Sequence, residues 1–455
     1  MRRKFLIEVI DHPLKTVICP TTIHNFENVT RVAFGTNTID HNFSIVQKEQ
    51  SKIFISKDLA NELKFPQLNL PLHVFVENDT MFIGPLVGIF TSGFTPFPMR
   101  PIGERSLFFA KLLSVKKSVA ALPFVFGEEH INWEQGTIQA LFYHDKGWES
   151  LEVPFPNVVY DRLPNRKSER KKALQQVKNR MQTDYLIPWY NPGFFNKLDV
   201  FERIQQESTV SHYLPETHPF TSFSMIERML GEYGHVYLKP MNGSLGLGIH
   251  QILFDKHEEV YYCRYRNDQG NNKLRKFQTL ESLMNQLFGQ KSLKHMLVQQ
   301  GIHLLRLNKR TIDFRIHTNK DENGKWKVTA LAAKMAGAGS VTTHLNNGGE
   351  IKTIEEIFLA EQDQKSIKEK LTKSALELSH ALEENMEGII GEIGFDMGMD
   401  RQGNVWLFEA NSKPGRSIFK HPQLKEFDGL TRRLSLAFAV FLAERAITRP
   451  EEMFK

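Results

Sequence analysis

Glu392-Ile393-Gly394-Phe395-Asp396-Met397-Gly398-Met399-Asp400 is followed by Arg401-Gln402-Gly403 and then by Asn404-Val405-Trp406-Leu407-Phe408-Glu409-Ala410-Asn411. Both halves alternate with a period of two around a Gly-containing turn, which predicts a β-hairpin. Successive side chains of a strand point to opposite faces. Ile393, Phe395, Met397 and Met399 therefore share a face suited to a core, and Glu392, Gly394, Asp396, Gly398 and Asp400 share the other. Glu409 and Asn411 also share a face, and a loop with an even number of residues would bring it onto the Asp396 side. Three oxygen donors would then converge with no soft ligand nearby, a set that suits a hard cation such as Mg2+ held together with phosphate oxygens. A surface hairpin with scattered acids is the plainer alternative, and the hairpin alone leaves both open.

A second stretch, Val236-Tyr237-Leu238-Lys239-Pro240-Met241-Asn242-Gly243-Ser244-Leu245-Gly246-Leu247-Gly248-Ile249, is a short apolar strand that ends in a lysine and runs into a loop with three glycines. Glycines let backbone N–H groups wrap phosphate oxygens closely, and the lysine adds a point charge. The order G-x-x-G-x-G differs from the dinucleotide fingerprint G-x-G-x-x-G, and no Gly-Lys-Ser/Thr follows as in a P-loop. A glycine-rich turn without a ligand is the alternative reading of this loop by itself.

Taken in order, these segments resemble the ATP-grasp superfamily, and more narrowly the YheC/YheD-type endospore coat-associated proteins of spore-forming bacteria. Further segments carry the resemblance over most of the chain: Phe195-Asn196-Lys197, Leu214-Pro215-Glu216-Thr217, Leu297-Val298-Gln299-Gln300-Gly301-Ile302, Asp313-Phe314-Arg315, Asn346-Asn347-Gly348-Gly349, and Phe408-Glu409-Ala410-Asn411-Ser412-Lys413-Pro414-Gly415-Arg416. The resemblance implies an α/β (α+β) chain with an ATP-grasp fold, and it implies roles position by position. Lys197 and Lys239 would contact nucleotide phosphates, with Asn196 standing where relatives usually have Asp. Gly243, Ser244, Gly246 and Gly248 would form the phosphate loop. Gln299, Gln300 and Ile302 would form the hinge beside the adenine edge, where many relatives place an acid. Arg315, Lys334 and Asn347 would stand around the transferring phosphoryl group, and Asp396, Glu409 and Asn411 would hold two Mg2+ ions with ATP. His344 stands where the related pattern often has Asn. Lys413 and Arg416 flank Pro414-Gly415 in a loop that either binds an anionic substrate or simply ends the strand.

Bulk properties agree with an enzyme-sized chain. At 455 residues with 41% hydrophobic content there is material for two or three domains with real cores. Residues 1–78 read as a small β-rich N-terminal domain, 79–185 as an α/β pre-ATP-grasp domain, and 186–455 as the nucleotide-binding and catalytic part. The second part opens on Met81–Phe90, which reads as one buried strand, followed by a helix-like stretch from Glu104 to Ala121. The two cysteines, Cys19 and Cys263, make neither a disulfide framework nor a zinc spacing, so a reducing, cytoplasmic setting is expected, with spore or spore-coat association implied by the resemblance. Glu8 and Asp11 interrupt any export-type apolar region, and Leu434–Ala446 reads as a packed helix far short of the roughly 20 residues that span a bilayer. The net charge of +6 is mild, and much of the excess lies in Arg162–Arg180, a run that reads as a solvated helix face more readily than as a nucleic-acid or polyanion surface.

No Ser/His/Asp order or local Cys/His signature is present, which leaves phosphoryl transfer by positioning and charge neutralisation. The resemblance implies an ATP- and Mg-dependent ligase that joins a carboxylate to an amine or another nucleophile through an acyl-phosphate, with spore coat proteins as partners and no membrane. Two alternatives remain from the sequence. One is a coat protein that binds nucleotide without turnover, and the other is a kinase that stops at phosphoryl transfer.

Overall fold

A computed structural model describes residues 3–23, 28–40, 44–48, 50–67, 70–241, 247–289 and 293–453. Among them the strands gather into four sheets along the chain. The first, within residues 3–84, has eight strands ordered from Asn37–Asp40 at one edge to Ser44–Lys48 at the other, with Arg3–Ile10 near the middle. The second is built around the parallel trio Leu122–Phe126, Leu86–Phe90 and Val158–Asp161. Its strands read as continuous apolar runs, as strands covered on both faces do.

Two details of the sequence reading change here. Met81–Phe90 is not one strand. Thr80–Gly84 closes the first sheet and Leu86–Phe90 opens the second, because Pro85 has no N–H to continue a ladder. The helix expected over Glu104–Ala121 is a short turn at Gly103–Arg105 followed by two helices, Ser106–Leu113 and Lys116–Val119.

The third and fourth sheets carry the candidate chemistry. The third is wholly antiparallel, ordered Thr217–Pro219, Met296–Gln300, His235–Pro240, His250–Asp255, Val260–Arg266 and Asn272–Phe277. Helices Phe223–Tyr233 and Leu280–Leu287 cover it through Ile226, Met229, Leu230, Leu283 and Met284. The fourth is ordered Glu350–Lys352, Trp326–Met335, Arg310–Lys320, Glu392–Met399 and Val405–Asn411.

Alternation divides the fourth sheet into two faces. Ile312, Phe314 and Ile316, with Ile393, Phe395 and Met397 from the neighbouring strand, pack in one core with Leu371, Ala375, Leu378 and Leu382 of helix Glu361–Asn385. At about 1.5–3 kcal/mol for each large side chain removed from water, this face fixes the register of both strands. The opposite face is left to Asp313, Arg315, His317, Gly394 and Asp396. Helix Lys425–Thr448, which contains the packed stretch read from sequence, is buried along Leu434–Ala443 and packs on the strands Arg310–Lys320 and Trp326–Met335 as well as on the second sheet. No helix among the described residues is long and apolar enough to cross a membrane.

Candidate active site

The hairpin forms as read, by a different route. Asp400 pairs with Asn404, which leaves a loop of three residues, Arg401–Gly403. An odd loop followed by an unbroken ladder would set Phe408 opposite Asp396 and turn Glu409 to the core side. The register instead shifts by one residue beyond Asp396, so that Met397 pairs with Leu407 while Asp396 pairs with Glu409 and Gly394 with Asn411. Phe408 is the extra residue of a β-bulge, a device that re-aims side chains. The bulge restores Asp396, Glu409 and Asn411 to one face. Asp400, which shares the acidic face in sequence, builds the turn: its carboxylate accepts from the backbone N–H of Gln402 and Asn404, from Asn404 Nδ2 and from Trp406 Nε1.

The next strand completes the centre. Arg315 pairs in register with Asp396, and its guanidinium lies 2.9 Å from the Asp396 carboxylate. Lys334, opposite Asp313 on the following strand, reaches Asp396 at 2.8 Å and Asp313 at 3.2 Å. Burial works against the charge of Asp396, but Arg315 and Lys334 outweigh it and hold this carboxyl below its ordinary range. Burial wins at Asp313, raising its carboxyl despite Lys334. Lys334 is held above its ordinary value, against burial, by these two acids. Gly394 gives room for the approach, since a Cβ there would sit 2.4 Å from Pro414 Cβ and 3.1 Å from Arg315 Nη1.

Lys197 and Lys239, expected from the sequence to meet nucleotide phosphates, arrive from other elements. Asn196 caps helix Lys197–Gln206, its side chain accepting from Leu198 N–H, and Lys197 reaches Glu409 at 3.2 Å. The Asn that departs from the family pattern is therefore a helix cap. Lys239 lies on the third sheet with its ammonium 2.9 Å from Gln299 Oε1 and 5.3 Å from the Phe201 ring centre. Burial, reinforced by Lys197, pushes Lys239 down to about 7.

That depression has two signed consequences. Between about pH 7 and the ordinary lysine value the unfolded chain binds the proton that the folded chain has released, so this residue's contribution to stability grows as pH rises through that window. A phosphate beside Lys239 would restore its charge. Nucleotide binding at pH 8 is therefore expected to take up on the order of one proton, read from titrations in buffers of different ionisation enthalpy. Uptake of none would place Lys239 away from the phosphates.

Gln299 and Gln300, expected from the sequence at the adenine hinge, bond within the protein. Gln299 Nε2 donates to Thr217 Oγ1, and Gln300 Oε1 accepts from Glu216 N–H while its own N–H donates to Glu216 O. Gln299 thus serves Lys239, and Ile302 is buried just beyond the strand. Asn347 donates to Thr342 Oγ1 at 2.7 Å and accepts from Arg266 of the third sheet, tying that sheet to the loop before Glu350. Gly243, Ser244 and Gly246 lie outside the described residues, while Gly248 adopts a φ of 73° against Pro240. Lys413 resolves as structural: it is buried against Asp161 at 2.6 Å, with Glu169 at 3.8 Å. Arg266 and Arg162 had no signal in the sequence, because their partners are far away in the chain. His317 had one, the alternation it shares with Asp313 and Arg315.

Residues 186–442 match the model of the YheC/D-like ATP-grasp family. The chain is 40% identical over 452 residues to the endospore coat-associated protein YheD of Bacillus subtilis, covering 99% of each. It is 23% identical over 304 residues to the endospore coat-associated protein YheC of the same organism, covering 64% of this chain and 80% of that one. Among solved structures it is similar to a D-alanine–D-alanine ligase from Bacillus anthracis, with 11% identity, 81% of this chain and 99% of that chain covered, and a TM-score of 0.45. The chain belongs to the YheC/D-like ATP-grasp family.

Proposed function

We propose that this protein is an ATP- and Mg-dependent ligase that activates a carboxylate by phosphorylation and passes the acyl group to an amine or another nucleophile. The observation that carries this reading is the pairing of the site with itself: Arg315 and Lys334 rest on Asp396, and Lys197 rests on Glu409. Carboxylates with the hardness Mg2+ requires and cations with the charge phosphate requires lie within contact of one another. A metal–nucleotide complex would separate them, metal to Asp396, Glu409 and Asn411, and phosphates to the lysines and Arg315. Arg315 Nη1 is buried without a hydrogen-bond partner, as a donor reserved for a ligand would be.

In this reading two Mg2+ ions neutralise triphosphate charge when bound. Lys197 and Lys239 hold the phosphates, with Gly243, Ser244, Gly246 and Gly248 as the covering loop and Gln299, Gln300 and Ile302 flanking the base. Arg315, Lys334 and Asn347 attend the γ-phosphoryl group. A carboxylate oxygen attacks the γ-phosphorus, the bond to the β-γ bridging oxygen breaks, and ADP leaves. The nucleophile then attacks the acyl carbon, loses its proton and expels phosphate. The division into a β-rich N-terminal domain, an α/β domain before the ATP-grasp part and the ATP-grasp part itself is proposed on the same grounds. Coat association is proposed because both Bacillus subtilis relatives are endospore coat-associated proteins.

The test is ADP release across a panel of carboxylates with hydroxylamine as the nucleophile, followed by mass spectrometry. ADP and the hydroxamate of one acid are expected. ADP with a stable phosphorylated product would mean a kinase, and nucleotide bound without release under any acid would mean a binding protein.

A further inference from the structure

We infer that the acid used by this site carries at least one further carboxylate, which is received by a cluster of arginines beside the phosphoryl-transfer centre; this rests on the ligase reading above. Arg162, Arg416 and Arg432 surround the ring of Phe108, with guanidinium carbons 5.1, 5.7 and 5.1 Å from its centroid, and Arg105 lies over Phe109 at 5.6 Å. Four guanidinium groups thus gather, from the turn Gly103–Arg105, the residue after strand Val158–Asp161, helix Lys425–Thr448 and the loop after Asn411.

Their counter-charges are too few. Glu392 is shared by Arg162 and Arg416 at 3.4 Å each, and Asp428 by Arg416 at 3.0 Å and Arg432 at 2.9 Å. Among the described residues Arg105 has no acid in contact; it donates to Thr91 Oγ1 at 2.8 Å and to the Ser92 carbonyl. Cations remain in excess even when the adjacent Lys413, Asp161 and Glu169 are included. Burial first, and then Arg162, lower the pKa of Arg105, and burial first, and then Arg416, lower that of Arg432. A partly buried cation beside like charges and without its own counter-ion is favourably met by an anion.

Buried polar atoms without hydrogen-bond partners stand between the cluster and the reaction centre: Arg315 Nη1, Arg416 Nε and the two ring nitrogens of His317, one a donor and one an acceptor in a neutral imidazole. His317 is 0% exposed and stands opposite Gly394, between the strand positions of Arg315 and Glu392. An unmet buried polar group is costly, so several near one another favour a ligand that supplies partners. Glu392 and Asp396 are four residues apart on one strand, about 13 Å at 3.3 Å per residue, and Arg315 Nη1 lies beside Gly394, midway between them. The reacting carboxylate belongs at the Arg315 end and the second one at the Arg416 and Arg105 end. Arg105, Ser92 and Phe108 are its partly exposed members, the side from which a ligand can reach the cluster.

Calorimetric titration of the nucleotide-free full-length protein with glutarate, valerate and tetraglutamate at constant ionic strength tests this without turnover. Glutarate is expected to bind about tenfold or more tightly than valerate, its monocarboxylate of equal length, and Arg105→Gln is expected to bring the two within about twofold, with Arg105→Lys intermediate. Preference for tetraglutamate over glutarate would make the source an acidic peptide, and the reverse a small acid. With Mg-ATP present, the same ratio is expected in KM for ADP release, with kcat changed less. Equal binding of glutarate and valerate, no binding of either glutarate or tetraglutamate, or a preference untouched by Arg105→Gln would overturn the proposal. Anion binding with no affinity for Mg-ATP would overturn the ligase reading and leave the anion site standing.

Discussion

Lys239→Met is expected to weaken Mg-ATP binding about 100-fold, or about 2.8 kcal/mol, while leaving stability within about 1 kcal/mol of the wild type. Methionine keeps an unbranched stem beside Phe201 and deletes the ammonium. In the ligand-free protein that ammonium is a burden, because burial and Lys197 have pushed it down to about 7 and it donates, among the described residues, to the neutral Gln299. Removing it leaves Gln299 Oε1 without its donor, a loss offset by relief of the buried charge. With nucleotide the balance reverses, since a phosphate would be the counter-ion Lys239 lacks. Calorimetry with ATP and urea unfolding on the same variant separate the two effects. A variant that binds Mg-ATP like the wild type would remove Lys239 from the site.

Asp396→Asn and Glu409→Gln are expected to abolish Mg-dependent binding alike and to differ in stability. Asp396 is mostly buried between Arg315 and Lys334, and neutralising it leaves Arg315 without this carboxylate and Lys334 with Asp313 alone. Breaking a buried pair in this way costs about 3–5 kcal/mol. Glu409 is a third exposed and has the single partner Lys197, so its neutralisation is expected to cost no more than about 1 kcal/mol. The sign of the pH effect at Asp396 follows: with its folded pKa held below the ordinary value, its contribution is present at neutral pH and is lost as acid protonates it. Urea unfolding of both variants at pH 7 checks the contrast. Equal stabilities would mean that the Arg315–Asp396–Lys334 cluster does not hold the sheet together.

The legible parts of the molecule are those written in local periodicity. Ile393, Phe395 and Met397 announce a core face and Asp396 its opposite, because strand geometry fixes both once the segment is a strand. The coincidence of Asp396 with Glu409 and Asn411 was not decidable from the residues, since it depends on a three-residue loop and a bulge at Phe408 whose parities cancel. Pro85 could have signalled the break between two sheets in Met81–Phe90, and the apolar continuity of the stretch concealed it. The partnerships of Lys413 with Asp161, of Arg266 with Asn347 and of Arg162 with Glu392 join positions 81 to 252 residues apart. No period or spacing encodes such contacts; they exist only once the sheets have packed. The glycine loop read as a phosphate cradle lies for the most part outside the described residues, and its role stays with the proposal.

Titration of the wild-type protein with ATP, with and without Mg2+, checks the proposed metal–nucleotide site of these converging acids and cations. Saturable binding at one site, dependent on Mg2+ and accompanied by proton uptake above pH 7, is expected. A folded wild-type protein that takes up no ATP in the presence of Mg2+ would contradict it.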